Sequence, residues 1–456
     1  MELHSFNNTL ILQLFLLVLT AALLLSWWVL LVDGHHIIAP PDLPPGQSSA
    51  ISTSSSASSL SHLSSTYGPL MGLRLGSVRA VVASSPQMAK EILQTHDLTF
   101  CHRPRVAAAV HMFFNCGDIA SSPDNGPVWK LMRQLCATEL FTAKRLASFR
   151  HTREEEVRRM VRAVVEMGEE GKRAVELRRA VVAATNNIVC RMAMGKRVGE
   201  FRMGRGEQQD VVQSLVKELM RLLGVFYVGE PCLWWLDPYG YVKQMKATDS
   251  AGGDRGEKAR KKKSRSVRIT DDNIMGIILD LFTGGSDSSS ITIEWALADL
   301  ISNEQVMHKL RKEIDNLVGN ERLITESDIE NLPYLALVVK ESMRLHLVAP
   351  LLIPHESCKE CQIGEYKIPA KTRAYINTWA IGHDPLLWEM PLRFWLERFE
   401  NKNFDLYGKN FELLPFGVGR RGCLGWALAL LNVHLMLATL VQGLNFFLGT
   451  FNDQDQ

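Results

Sequence analysis

No acidic residue lies between Glu412 and Asp453, and no lysine or arginine precedes Arg74. The first absence decides how to read Gly417-Val418-Gly419-Arg420-Arg421-Gly422, a G-x-G-x-x-G between a strand-like run and an apolar helix. A dinucleotide fingerprint needs an acid about twenty residues further on and a βαβ unit after it, and neither follows. The second absence leaves positive-inside reasoning almost nothing with which to orient an N-terminal apolar segment. Cysteines are sparse, 8 in 456 residues and irregularly placed, which argues against a disulfide scaffold. Cys358-Lys359-Glu360-Cys361 has no second C-x-x-C to pair with and reads as loop cysteines rather than zinc or redox ligands. A net charge of +2 gives no bias towards nucleic acid, while 46% hydrophobic and 22% charged residues suffice for a buried core. The length allows one large domain or two to three ordinary ones.

Leu10 to Val32 is a run of 23 residues broken only by Gln13, Thr20 and Ser26. At helical rise it reaches about 34 Å, enough to cross a bilayer core, and Trp27 and Trp28 near one end suit an interface. A cleaved signal peptide needs a basic start and a small-residue cleavage site. Met1-Glu2-Leu3-His4 and Asp33-Gly34-His35-His36 supply neither, so a retained anchor over 10–32 is expected. Residues 33–66 read as a Pro/Ser-rich linker, stiff through Pro40-Pro41-Asp42-Leu43-Pro44-Pro45-Gly46. It then becomes flexible, because eleven of the nineteen residues 47–65 are serine. Order is expected from Tyr67 onward, giving a domain over 67–456. Leu70–Leu75 and Val78–Ala83 flank Gly76-Ser77 as a hairpin, and Ser85-Pro86 caps a helix. Pro127 opens another helix, with Trp129 and Arg133 on one face. Residues 143–193 form long amphipathic helices, and 208–223 continue the pattern. Eight Lys or Arg from Arg255 to Arg268 read as a solvated loop.

The chemistry converges on Phe416-Gly417-Val418-Gly419-Arg420-Arg421-Gly422-Cys423-Leu424-Gly425. Cys423 sits where this turn feeds an apolar helix, and the free N–H groups and dipole of a helix start favour thiolate. Four glycines leave a low-bulk backbone able to lie against a flat partner, and Arg420 and Arg421 offer cations for that partner's carboxylates. These properties together suit a haem held by an axial cysteine.

The stretch matches F-x-x-G-x-R-x-C-x-G residue for residue, with Phe416, Gly419, Arg421, Cys423 and Gly425 at the fixed places, and so resembles the cytochrome P-450 haem-thiolate monooxygenases. Further elements occur in the family's order. Trp129 and Arg133 resemble its W-x-x-x-R, whose side chains contact a haem propionate. Gly284-Gly285-Ser286-Asp287-Ser288-Ser289 resembles [AG]-G-x-[DE]-T-[TS], with Asp287 as the acid and Ser288 in place of threonine. Glu341 and Arg344 match E-x-x-R, and Phe394-Trp395-Leu396-Glu397-Arg398-Phe399 looks like P-E-R-F with leucine at the proline. The glycines at 284 and 285 interrupt a helical pattern that starts at Thr270. A long helix locally opened by glycine and hydroxyls is expected there, rather than two helices and a loop.

Leu345 to Ser357, Trp379 to Pro385 and Phe411 to Phe416 look like plant microsomal members, above all flavone synthases and flavonoid hydroxylases. The resemblance implies a mainly α fold with a small β region, haem b ligated by Cys423, and propionates held by Trp129, Arg133 and Arg421. Asp287 and Ser288 would relay protons, and Glu341, Arg344 and Arg398 would form a buried structural cluster. It further implies O2, an apolar plant metabolite as substrate and electrons from NADPH-cytochrome P-450 reductase. The location implied is the endoplasmic reticulum membrane, single-pass, with the catalytic domain cytosolic and no nucleic-acid partner. Family-like helices after Lys246 and a closing hairpin beyond Phe447 are not recognisable. Weaker haem retention, looser coupling, or a degenerate non-catalytic member form the alternative expectation. Serine at 288 lacks the methyl that restricts rotation, and some unproductive O2 reduction is expected.

Overall fold

The computed structural model describes residues 57–75, 78–168, 175–197, 268–319, 322–400, 402 and 404–443, with the backbone of Gly46–Gln47 and of 444–452. The anchor expected over Leu10–Val32, the proline spacer, the 208–223 helix and the basic loop up to 267 lie outside these residues.

Local capping chemistry sets where the elements begin. Ser85 accepts the Met88 N–H ahead of Pro86, starting α2 (Pro86–Lys90), which continues as a π turn over Glu91–Thr95. Strands β2 (Leu70–Leu75) and β3 (Val78–Ala83) pair antiparallel with Leu70 opposite Ala83, as the alternating pattern predicts. With β1 (Gly46–Gln47), β4 (His355–Glu356) and β7 (Arg373–Ile376) they form a sheet of order β1-β2-β3-β7-β4, in which β3 and β7 run parallel. A separate hairpin joins β5 (Cys361–Ile363) to β6 (Tyr366–Ile368).

One expectation is overturned. The serine-rich stretch does not run loose up to Tyr67: Ala57–Tyr67 is a helix, α1. Leu60, Leu63 and Tyr67 fall on one face at helical spacing and pack on Met71, Leu73, Ala80 and Val82 of the sheet. Asn377 Nδ2 also donates to the Ala57 carbonyl at 2.9 Å. Burying one leucine contributes roughly 1.5–3 kcal/mol, enough to outweigh a weakly helical composition. Helical structure is therefore present from Ala57, ten residues before the expected boundary.

The helical layer consists of α3 (Pro127–Glu139), α4 (Arg150–Met167), α5 (Leu177–Met194), α6 (Asp271–Phe282), α7 (Ser288–Ser302), α8 (Glu304–Leu317), α9 (Pro333–Leu345) and α10 (Trp426–Asn452). Thr270 and Asn273 make the capping box that starts α6. Val157 and Met160 of α4, Ile188 of α5, Ile293 and Leu300 of α7, Val338 of α9 and Met436 of α10 share one core. Trp426–Gly443 is apolar and long enough to cross a membrane, but 67% of it is buried in the protein, which marks a core helix. Its buried Gln442 fits that place. The amide donates to the carbonyls of Gly319 at 3.0 Å and Arg322 at 2.9 Å, and accepts the Ile324 N–H at 3.1 Å. The class is mainly α with a small β region, as expected.

Candidate functional site

The cysteine loop is shaped by two glycines at positive φ, Gly417 at 61° and Gly419 at 76°. A Cβ on Gly419 would stand 2.6 Å from the Leu93 carbonyl, so only glycine lets the loop lie against the end of α2. The Cys423 N–H donates to the Phe416 carbonyl at 2.9 Å and closes the turn. This gives the glycines a conformational reason, where low bulk alone was expected. At Gly425 the nearest group to an added Cβ is the Phe141 ring, at 3.8 Å.

The Cys423 side chain is accessible to solvent, with protein packed around it. Its sulfur accepts the N–H groups of Gly425 and Trp426 at the start of α10, and Arg133 stands nearby. Burial nevertheless outweighs these and pushes the thiol above its ordinary value. The N–H groups of the helix start thus act in the expected direction, towards thiolate, while burial acts the other way.

The two arginines of the loop, both expected to offer charge to one partner, make separate contacts within the fold. Arg420 is paired with Asp97, Nε to Oδ2 at 2.8 Å. Arg421 donates to four main-chain carbonyls: Cys101 at 2.6 Å, Ile119 at 3.0 Å, Ser122 at 2.7 Å and Asp124 at 3.1 Å. Its guanidinium lies 4.3 Å from the centre of the Trp129 ring, whose Nε1 donates to Ile119 O at 3.0 Å. Arg133 Nη2 donates to Gly422 O at 2.8 Å, one residue from Cys423.

Sequence reasoning missed two neighbours. Arg103 is fully buried and donates to the carbonyls of Ala120, Ile353 and Pro354. Burial first, then the Arg421 charge, pushes it down to about 9, and Arg421 itself sits at about 10. His355 is held neutral by burial and the Arg103 charge, with Nδ1 on Phe100 O at 2.7 Å. The signals in the sequence were His102-Arg103-Pro104 and Pro354-His355-Glu356.

Among the described residues Arg103, Arg133 and Arg421 form no ion pair with a carboxylate. One buried and two half-buried cations, beside an accessible sulfur, suit an anionic, thiolate-ligated ring. The residues present therefore fit a haem.

The helix across from this region is continuous, as expected. Between α6 and α7 the chain makes a π turn over Thr283–Asp287. Its cause is visible on α5: Ser286 Oγ bonds to Asn186 Oδ1, and a Cβ on Gly285 would stand 3.0 Å from Val189. Ser288 Oγ donates to Gly284 O at 2.6 Å. Asp287 is ion-paired with Arg178 of α5 at 2.7 Å, and Arg178 also reaches Glu294 at 3.4 Å, a contact the sequence did not signal.

Glu341, Arg344 and Arg398 come together in the interior. Arg344 grips Glu341 with two bonds, at 2.9 and 2.8 Å, and Arg398 Nε reaches Glu341 Oε1 at 3.1 Å. The remaining guanidinium donors go to the carbonyls of Gly382, Pro391, Glu389, Met390 and Arg393, and Trp395 N–H completes Glu341. A buried cluster so fully bonded welds the segment 382–398 to α9.

The family model described as Cytochrome P450 matches residues 48–251 and 242–455. The chain is 37% identical over 419 residues to Cytochrome P450 71A1 of Persea americana, covering 85% of this chain and 82% of that one. It is also 37% identical over 421 residues to a flavonoid 3'-monooxygenase of Petunia hybrida, covering 85% and 81%. A solved structure titled "Zebra fish cytochrome P450 another structure with Abiraterone" superposes with a TM-score of 0.67 at 26% identity, covering 85% of this chain and 91% of that one. Cysteine loop, arginine cations, opened helix and Glu–Arg–Arg cluster are thus found in a chain that belongs to the cytochrome P450 family, a haem-dependent monooxygenase that uses O2 and a redox partner on a small molecule.

Proposed function

We propose that this enzyme inserts one oxygen atom of O2 into an apolar plant secondary metabolite of the flavonoid or phenylpropanoid class. The named relative from Petunia, a flavonoid 3'-monooxygenase, supports that substrate class. The observation that carries the reading is Cys423, held at the start of α10 near Arg133, which like Arg103 and Arg421 forms no ion pair with a carboxylate among the described residues. Bound haem b would supply the iron at which O2 is activated. Cys423 would ligate that iron, and Phe416, Gly419 and Gly425 shape the loop that presents it. Arg133 would take a haem carboxylate, and Trp129 and Arg421 would each reach one by releasing a carbonyl partner. Asp287, freed from Arg178, would draw a proton inward, and the Ser288 hydroxyl would pass it on. Glu341, Arg344 and Arg398 would keep the frame beneath the site rigid. Electrons would come from NADPH-cytochrome P-450 reductase at the endoplasmic reticulum membrane. Residues 10–32 would anchor the chain there, with the 67–456 domain and its α1 extension cytosolic.

The test is spectroscopic and then chemical. Reduced protein with carbon monoxide is expected to show the red-shifted Soret band of a thiolate haem, and Cys423→Ala to lose it. With reductase, NADPH and a flavanone, a hydroxylated product is expected. An unchanged spectrum in Cys423→Ala would remove the ligand assignment. Turnover of other apolar phenolics but of no flavonoid would remove the substrate class.

A further inference from the structure

Two acids, Asp118 and Asp280, meet each other instead of a base. Asp118 lies between the short helix Ala107–Met112 and α3, and Asp280 lies in the last turn of α6, three residues before the π turn. Asp118 is wholly buried and Asp280 half-buried, and the two carboxyl groups lie side by side, Asp280 on the N–H groups of Ile119 and Ala120 and Asp118 on Ser121, within reach of a shared hydrogen bond. Ionised carboxylates only accept, so a bond between two of them needs a proton. The other oxygen partners are donors as well. Asp280 Oδ2 accepts the N–H groups of Ile119 at 2.7 Å and Ala120 at 3.3 Å, and Asp118 accepts the N–H and hydroxyl of Ser121.

The same face of α6 grips the same stretch twice more. Asn273 Nδ2 donates to Gly117 O at 2.7 Å, and a Cβ on Gly276 would lie 3.0 Å from Asp118 Cα. That stretch supplies the carbonyls of Ile119, Ala120, Ser122 and Asp124, which seat Trp129, Arg103 and Arg421.

We propose that Asp118 and Asp280 share one proton and act as a positioning pair, latching residues 117–124 to α6 and so fixing the carbonyls that hold Trp129, Arg103 and Arg421. The consequence for the haem edge rests on the function proposed above; the latch itself does not.

The surroundings keep the proton in place. Burial raises both acids, and for Asp280 the Asp118 charge adds to the rise. On the loop side the groups facing Asp118 are Ser121, the Cys116 thiol, pushed up to about 11, and the Arg103 and Arg421 cations. On the α3 side Asp280 faces Cys136, also at about 11, with Arg133 beyond it. Among the described residues no lysine, arginine or histidine forms an ion pair with either acid. An acid whose folded pKa lies above its unfolded value holds its full contribution at low pH and loses it as pH rises through the folded value. The latch therefore weakens towards alkaline pH.

The experiment uses the full-chain holoenzyme and two readouts that need no turnover. In the infrared, wild type at neutral pH is expected to show a protonated carboxylic acid band that vanishes in Asp280→Asn and in Asp118→Asn. In amide exchange, protection at Ile119 and Ala120 is expected to fall by up to ~10-fold per pH unit beyond the intrinsic base catalysis of exchange. Asp280→Asn, which keeps the amide acceptor and cannot ionise, is expected to stay flat, while Asp280→Ala loses the protection at every pH. Absence of the band in wild type, or the same pH dependence in wild type and Asp280→Asn, would overturn the proposal. Should Asp280→Asn fail to fold, the wild-type band and Asp118→Asn decide alone. Loss of haem in Cys423→Ala bears on the function only and leaves these readouts intact.

Discussion

Arg421 lies over the ring of Trp129, its guanidinium carbon 4.3 Å from the ring centre, and both side chains donate to the same carbonyl, that of Ile119. The pair joins three parts of the chain: the cysteine loop, α3 and the segment 119–124. Planarity is what permits this, since a guanidinium can stack and fork at once and an ammonium cannot.

Arg421→Lys is therefore expected to be far from conservative. Hydrogen bonds from a charged donor are worth about 1.5–3 kcal/mol each, and lysine cannot span four carbonyls. A loss of about 2–4 kcal/mol in urea unfolding is expected, with Trp129→Phe costing about 1 kcal/mol because Ile119 O keeps its second donor. Equal stability of Arg421→Lys and wild type would show the stack to be incidental.

Glu341 sets a larger effect. It accepts from Arg344, Arg398 and Trp395 N–H with no exposure to solvent. Glu341→Ala leaves two buried guanidinium groups without counter-charge, and breaking such a cluster costs about 3–5 kcal/mol. Little soluble protein and a lowered melting temperature are expected. A melting temperature within a degree of wild type would contradict the weld between α9 and 382–398.

Leu396, at the place where the family pattern has proline, gives a finer test. Trp395 before it sits at φ −144°, ψ 105°, the extended region a following proline demands, and Leu396 opens a short 3₁₀ turn. Leu396→Pro is expected to fall within about 1 kcal/mol of wild type, rigidity offsetting lost apolar contact. Leu396→Ala, which only removes a buried side chain, is expected to cost about 2–4 kcal/mol. Reversal of that order in thermal melts would rule out a backbone compatible with proline.

Much of this site was legible because short-range chemistry carried it. Ser85-Pro86, Thr270 with Asn273, and the spacing of Glu341 and Arg344 act within one or two turns, and each lies as its local pattern requires. What could not be read was decided across the fold. Nothing in the serines of α1 announces the sheet that buries Leu60. Nothing near Arg420 announces Asp97, more than 300 residues away in sequence. Arg103 lies in a loop and His355 in the short strand β4, and only the tertiary fold brings them to Arg421. The thiol of Cys423 shows the same limit: the helix start was visible, but the burial that outweighs it was not.

Stability in acid follows from two imidazoles, buried His355 and half-buried His434. Burial holds His355 and His434 below their ordinary value. A histidine depressed in the fold contributes its full stability above its unfolded value, about 6.5, and loses it as pH falls towards the folded value. Lowering the pH from 6.5 to 5.5 is expected to cost up to ~1.4 kcal/mol for each imidazole. His434→Leu should flatten part of that slope in urea titrations at the two pH values. An unchanged slope would mean His434 is already charged in the fold.

Ser288 offers the most direct test of proton handling. A π turn bonds five residues apart instead of four, so one main-chain carbonyl is left without its usual helical donor. Gly284 O is offered the Ser288 hydroxyl at 2.6 Å, and Thr283 and Thr292 make the same kind of backward bond on either side. The Ser288 hydroxyl thus sits at the widened part of the helix, one residue from Asp287, whose carboxylate is drawn aside by Arg178. If a proton passes from Asp287 to the reacting oxygen through this hydroxyl, the time the hydroxyl spends correctly aimed limits the yield. Serine can rotate among three rotamers; threonine, with its methyl, is restricted to fewer in a helix while keeping the bond to Gly284 O. Ser288→Thr is therefore expected to raise the fraction of NADPH electrons recovered in product and to lower peroxide release. Ser288→Ala, with no hydroxyl to pass the proton, is expected to slow product formation by ~10-fold or more while NADPH consumption continues. Neither substitution should change the carbon monoxide spectrum, because neither touches Cys423. Identical product-to-NADPH ratios in the three proteins would take Ser288 out of the proton path and leave its hydroxyl a cap for the π turn alone.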